Sequence, residues 1–311
     1  MKGLELSRKY FEAFGIPMIR EQFPEYEEMI AAGLTGSGSE CYGYDDELSA
    51  DHDFEPGFCL FIPGEEIVDR KTAFRMERAY AKLPAEFEGY TRKKISPVGG
   101  SRHGVFRMEE YFRERIGCLP ENLTPDRWVR IPESVLAEAV NGEMFRDRLS
   151  LMEDQRELLR RPPEDVLRKK LAGHLLMMAQ SGQYNYPRCI RRGETGGAQL
   201  AVFEFVRHAM AALFLLQGKY MPYYKWSFRA FRELPGHADD AAMMEAMISS
   251  DNGPERAEAK YDQIEGLASR IIDLLQERRL TEAVCGDLEK HAYSVNDGIA
   301  DGWIRNLPMM E

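Results

Sequence analysis

Two short apolar runs, residues 30–34 and 58–62, bracket a stretch that reads GSGSECYGYDDELSADHDF, and this arrangement constrains the fold more than any other feature of the chain. The run Ile30 to Leu34 has the length of a strand. The second, FEPGFCLFIP, carries on from an Asp-His-Asp triplet as another strand, with Pro56 and Gly57 forcing a bulge or a break. Eleven residues separate Ser39 from Asp51. Positions i and i+2 of a strand face the same way, so Asp51 and Asp53 are expected to converge on one point. Two converging carboxylates suit a hard divalent cation, Mg²⁺ or Mn²⁺, that also takes phosphate oxygens. Gly38 lets a backbone turn approach a phosphate closely, and the Ser39 hydroxyl with nearby N–H groups can bind its oxygens. Taken singly, an Asp-x-Asp is common and a GSGS is usually a linker turn; the order and spacing together are far more selective. His52 is expected on the opposite strand face as a packed residue, and Asp45, Asp46 and Glu47 as a solvated loop.

This order resembles the signature of the polymerase-β-type nucleotidyltransferases: a hydrophobic strand, Gly-Ser, a gap of about ten residues, then Asp-x-Asp on the next strand. Gly43 also matches the GS-x-x-x-G form of small antibiotic nucleotidyltransferases, and HGVFRMEEYF, then a tryptophan segment, then a helical domain, is similar in order to kanamycin nucleotidyltransferase-like proteins. The whole chain looks like a bacterial domain-of-unknown-function family built on that fold, through GSGSE, DDELSADHDF, QYN, PYYKW and a C-terminal helix around His291. The resemblance implies that Asp51 and Asp53 are the catalytic, metal-binding carboxylates and that Gly38 and Ser39 hold phosphate. It implies Mg²⁺- or Mn²⁺-dependent movement of NMP from an NTP to a hydroxyl of a small molecule or a protein. Active relatives place a third carboxylate on the following strand. RHGVFRM, the candidate strand, offers His103 and no acid, which leaves Glu109 and Glu110 beyond its end and Asp147 in MFRD. A catalytically silent nucleotide-binding or interaction protein on the same fold is therefore the alternative.

The expected fold class is α+β: a small mixed-sheet nucleotidyltransferase-like domain, residues 1–155, then an all-helical domain, residues 156–311. Residues 4–31 read as helical with interruptions at Pro17 and Pro24, and Gly64 to Leu83 as a helix. RHGVFRM reads as a strand running into the helix EEYFRERI, which Gly117 stops. SVLAEAV reads as a helix and MFRD as a strand or turn. Past Pro162-Pro163 the apolar spacing is near 3.6, giving helices over 165–180, 198–216, 255–277 and 280–304. Two polar clusters there could neutralise phosphate. Arg188 sits with Gln183, Tyr184, Asn185, Arg191 and Arg192, and Lys225 with Tyr223, Tyr224 and Trp226. The competing readings are a solvated helix end for the first and aromatic packing with a snorkelling lysine for the second. Met177, Met178, Met243, Met244 and Met247 fit core filling.

The net charge of -11 disfavours broad nucleic-acid binding and favours a small, even cationic, acceptor. Five scattered cysteines without a C-x-x-C pair read as free thiols of a reducing compartment. The N-terminus is unlike a secretory signal, and the apolar run from Ala209 to Leu216 is far short of the roughly 20 residues that span a bilayer. The expectation is a cytoplasmic protein without membrane contact.

Overall fold

The structure is a computed structural model that describes residues 1–47, 54–92 and 102–309. It is α+β, with a small mixed sheet in the N-terminal part and helices throughout the C-terminal part. The chain divides into two compact units, and the division is not a single cut. The first unit is Met1–Leu123 with Val135–Arg160; the second takes Thr124–Ser134 and the chain from Arg161 onward.

The first unit is organised by a four-stranded sheet: β1 (Ala31–Leu34), β2 (Cys59–Ile62), β5 (Gly104–Arg107) and β6 (Glu143–Arg146), in the order β5-β2-β1-β6. β1 pairs antiparallel with β2 and β6, and β2 pairs parallel with β5. Every residue of β1 and β2 is buried, because both sheet faces are covered. On one face Phe58, Leu60 and Ile62 pack with Tyr10, Phe11 and Met76 of two helices. On the other, the Phe61 ring meets Tyr111 edge-on at 5.0 Å. The alternation is the ordinary two-residue period of a strand with an apolar set on each side. β3 (Glu86–Phe87) and β4 (Tyr90–Thr91) form a separate small hairpin whose two-residue strands leave no periodicity to read in the sequence.

Local chemistry moved several boundaries. The opening helix continues through Pro17 to Gln22, because a π turn over Phe11–Gly15 widens the ladder where proline offers no N–H. The helix expected from Gly64 starts at Arg70, where the Asp69 carboxylate accepts the Thr72 N–H at 2.6 Å and caps it. Asp45, expected in a solvated loop, is 3% exposed and accepts the Gly3 N–H at 2.9 Å at the start of the first helix. Asp51, His52 and Asp53 lie outside the described residues, so their shared or opposite strand faces do too.

Among the described residues of the second unit every regular element is helical. Helix Thr195–Leu216 is its centre, with Ala198, Val202, Phe205, Ala209 and Leu213 packed among helices Glu164–Met178, Ala238–Ser249 and Pro254–Glu277. The helix is long and apolar enough by composition to cross a membrane, yet its apolar window is 72% buried inside the protein, as in a core helix. Met178, Met244 and Met247 are fully buried in this core. The helix expected over 280–304 is two, Leu288–Asp297 and Gly302–Asn306, because the Asp287 and Asp301 side chains cap fresh starts.

Two glycines with the same backbone conformation separate strain from crowding. Gly43 (φ 69°) has open space where a Cβ would stand, whereas at Gly142 (φ 69°) it would meet the Leu34 carbonyl oxygen at 1.9 Å. Gly43→Ala is expected to cost about 1 kcal/mol, the left-handed penalty alone, and Gly142→Ala at least about 3 kcal/mol, since the β1 backbone must also move. Urea denaturation of both variants checks this; equal costs would contradict it.

Candidate functional site

The turn after β1 is held from the opposite side of the sheet edge by one side chain. Asn141, between its helix and β6, accepts the Gly36 N–H at 2.9 Å and donates to the Gly36 carbonyl at 2.7 Å. The Thr35 hydroxyl donates to the same Asn141 oxygen at 3.1 Å and receives the Tyr111 hydroxyl at 3.3 Å. Arg156, 2% exposed, fixes Asn141 in turn by donating to its carbonyl and, at 2.9 Å, to that of Val140. Beyond the clamp the chain passes through Gly38 into a 3-10 turn over Ser39–Tyr42, which Gly43 ends in the left-handed region. Ser37 is exposed, Gly38 buried and Ser39 half-buried.

Charged side chains gather beside this turn. Arg115 stacks its guanidinium on Tyr111, 3.7 Å from the ring centre, and reaches to the position a Cβ of Gly36 would border. Glu40, 7% exposed, packs under Gly38 and pairs with Arg102 at 3.0 Å. The antiparallel pairing of Gly33 with Cys59 brings the end of β1 and the start of β2 to the same sheet end. Phe54, the first described residue after the Asp-x-Asp, therefore lies with Glu40 around Gly3. Glu55 meets the buried His103 at 3.3 Å, and Gly57 has no side chain because the His103 ring occupies that space. Burial pushes the Cys59 thiol up to about 12 and the Cys41 thiol well above its ordinary value, so both are inert core thiols.

Of the residues singled out from sequence, Gly38 and Ser39 stand at this turn, and Asp51 and Asp53 lie outside the described residues. The third-carboxylate candidates are occupied or turned outward. Asp147 accepts the Met152 and Glu153 N–H groups at 2.9 and 2.8 Å, capping helix Leu151–Arg160. Glu109 pairs with Arg113 one turn along its helix, and Glu110 is exposed. In the second unit, Arg188 stacks on Tyr184 at 4.5 Å and binds its hydroxyl, while Lys225 is exposed with its ammonium 4.9 Å from the Trp226 ring centre. Gln183 is spent within the fold on Glu265, the Gly286 carbonyl and the Leu288 N–H, each at 2.9 Å. His291 is a satisfied core histidine, bonded to Thr281 at 3.0 Å and the Cys285 carbonyl at 2.7 Å. Among the described residues no three His, Cys, Asp or Glu side chains converge as a metal site.

Sequence reading missed a second polar cluster, in the helical unit. Glu133 accepts from Lys170 at 3.1 Å and faces His174 Nε2 at 3.5 Å. His174 Nδ1 lies 2.8 Å from His208 Nδ1, and His208 Nε2 lies 2.9 Å from an Arg207 N–H group. Burial, then the neighbouring His174 and Arg207, drive the His208 pKa from 6.5 to about 3. With both imidazoles neutral, a His208 that accepts from Arg207 carries its proton on Nδ1 and donates it to His174 Nδ1, which leaves the His174 proton on Nε2, toward Glu133. Burial opposes charge on Glu133, but His174 and Lys170 outweigh it and hold the carboxyl well below the usual range. The spacing from Lys170 to His174 is one helical turn, a weak signal; Glu133 and His208 join only through tertiary packing.

A family model described as "Domain of unknown function (DUF4037)" matches residues 128–227. That segment contains Glu133, Lys170, His174, Arg188, Arg207, His208 and Lys225, and not the Gly38-Ser39 turn. Among curated proteins nothing matches. Among solved structures the chain is similar to a nucleotidyltransferase-like protein from Exiguobacterium sibiricum, at 15% identity, covering 90% of this chain and 89% of that one, with a TM-score of 0.36.

The histidine pair gives a pH test. The folded protein binds the His208 proton less readily than the unfolded chain, so its contribution is complete above pH 6.5 and is lost as pH falls toward about 3. Glu133, with its pKa lowered from 4.5, adds its own loss only at lower pH. Between pH 6.5 and 4.5 the melting temperature of His208→Gln should fall less steeply than that of the wild type; identical slopes would contradict the burial of a neutral His208.

Proposed function

We propose that the chain is a metal-dependent nucleotidyltransferase that moves NMP from an NTP to a hydroxyl of a small molecule or a protein. The observation that carries this reading is the turn Gly36–Ser39, held at Gly36 by two hydrogen bonds from Asn141 and set at the sheet end where the chain enters β2. With the Gly36 N–H held by Asn141, the later N–H groups of the turn, at Gly38 and Ser39, are the ones proposed to meet phosphate. Arg115 beside Gly36 is the proposed cationic partner of the phosphate, and Arg102 offsets the Glu40 carboxylate that packs under Gly38, all within the same unit. Asp51 and Asp53 are the carboxylates proposed to hold Mg²⁺ or Mn²⁺, which when bound would neutralise phosphate charge and polarise the reacting phosphoryl group. Ser39 would orient a phosphate oxygen. The chain's acidity favours a small acceptor over nucleic acid.

One observation favours the second reading, a nucleotide-binding protein without turnover. β5, the strand beside β2, carries no acid, Asp147 is consumed as a helix cap, and Glu109 is paired with Arg113. The two readings share binding and part at transfer.

Thermal melting with each of the four NTPs and Mg²⁺ or Mn²⁺ tests binding. At an NTP concentration 100 times its Kd the stabilisation should be about 2.7 kcal/mol, and it should disappear in Asp51→Asn and Asp53→Asn while their melting without ligand is unchanged or raised. Like-charged carboxylates repel, so losing one charge relieves the apo protein. Variants that are merely destabilised, beside a wild type that ignores metal and nucleotide, would end the proposal. NMP incorporation from labelled NTP separates the enzyme from the silent binder.

A further inference from the structure

The Glu133–Lys170–His174–His208 cluster opens onto a cavity of about 360 Å³ in the helical unit. Its walls are helix Glu164–Met178, helix Thr195–Leu216, the turn through Ile131–Glu133 and the C-terminal residues Pro308 and Met309. Gly173 has no side chain because the Met309 carbonyl oxygen crosses the helix there, 2.3 Å from where a Cβ would stand. The C-terminal segment is thus a fitted wall of the cavity.

We propose that this cavity binds a small organic anion: an oxyanion held by Lys170, His174 and Arg207, with an apolar body against Val129, Ile131 and Met177. Three observations support it. His174 Nε2 is buried, and its nearest acceptor, the Glu133 oxygen, stands 3.5 Å away, at the outer limit of a hydrogen bond. A buried donor so weakly satisfied gains from a nearer acceptor, since one left without a bond costs about 1–3 kcal/mol. Among the described residues that line the cavity, the cations are Arg130, Lys169, Lys170 and Arg207 and the carboxylate is Glu133; the Lys169 ammonium is engaged by Asn296 and the Arg305 and Leu307 carbonyls, and Arg207 also pairs with Glu204 at 2.7 Å, which leaves Lys170 and Arg207 to meet an anion. Finally, a network with a structural role alone gains most from tight closure, since partly satisfied buried charges are worse than an apolar core; this one borders a space large enough for a compact ligand.

The chemistry follows from the tautomers. With both imidazoles neutral, Arg207 donates to His208, His208 to His174, and the His174 Nε2–H is the end of the relay. An oxyanion accepting that N–H and the Lys170 ammonium would take over part of the role of Glu133. The proposal does not rest on nucleotidyl transfer, because every residue it uses belongs to the helical unit.

The test is isothermal titration of the full chain at pH 7 with phenyl phosphate, benzoate, inorganic phosphate and benzyl alcohol. The expected result is one site with a Kd below about 1 mM for at least one of the two aromatic anions, weaker binding of inorganic phosphate, and none of benzyl alcohol. Whichever aromatic anion binds more tightly identifies the headgroup as phosphate or carboxylate. His174→Gln and Arg207→Gln should each weaken binding at least about ten-fold with unchanged helical circular dichroism. If either variant loses its fold, the wild-type imidazole proton resonances of His174 and His208 decide, and must shift with the aromatic anion. No anion binding at about 10 mM, binding that both folded variants retain in full, or imidazole resonances indifferent to the anion overturns the proposal. Loss of the nucleotide response in Asp51→Asn leaves this result unaffected, so the two proposals fail separately.

Discussion

The first unit depends on the two hydrogen bonds between the Asn141 amide and the backbone of Gly36. A turn that leaves an internal strand carries polar groups with no ladder partner, and burying them bare would cost more than a typical hydrogen bond returns. Asn141 satisfies an N–H and a carbonyl of one residue at once, as a paired strand would. That geometry requires β6 to lie against β1, which Gly33 and Gly142 permit by yielding side-chain space to backbone. Arg156 then joins the clamp to helix Leu151–Arg160, whose first turn Asp147 caps. The turn at Gly38-Ser39 is shaped by this chain of contacts, most of it more than a hundred residues away in sequence.

The second unit rests on the opposite principle. Helix Thr195–Leu216 is apolar on nearly every side and can exist in this fold only by being surrounded. Its one buried imidazole, His208, stays neutral and is tied to Glu133 through His174. Each partner in such a group is expensive alone and tolerable together, which makes the cluster sensitive to pH and gives the cavity beside it its chemistry.

What the sequence disclosed follows from what periodicity encodes. The apolar run at residues 30–34, the CLFI of β2 and the GVFR of β5 read as strands because each is short, largely apolar and bounded by turn formers, whereas the MFR of β6 reads as a strand or a turn. The long helices of the second unit read clearly for the same reason. Boundaries set by one side chain did not: Asp69, Asp287 and Asp301 start helices that the periodicity had begun earlier or joined. Asp45 looked solvated because its acidic neighbours are, whereas a distant helix N-terminus claims it. At the candidate site, Gly38 and Ser39 were legible as a motif. Asn141, Arg102 and Arg115 were not, since each is common in type and meets the turn only through the fold. Glu133 and His208 escaped notice for that same reason.

Backbone amide NMR reads directly whether the Asn141-held turn is the phosphate cradle proposed above. Titrating a non-hydrolysable NTP with Mg²⁺ into the labelled full chain should move the N–H resonances of Gly38 and Ser39 together, with a single saturating affinity, and Asn141→Ala should remove that concerted response while the helical unit's resonances stay in place. Amides of the turn that stay fixed while nucleotide binds elsewhere, or a response that Asn141→Ala leaves intact, would contradict it.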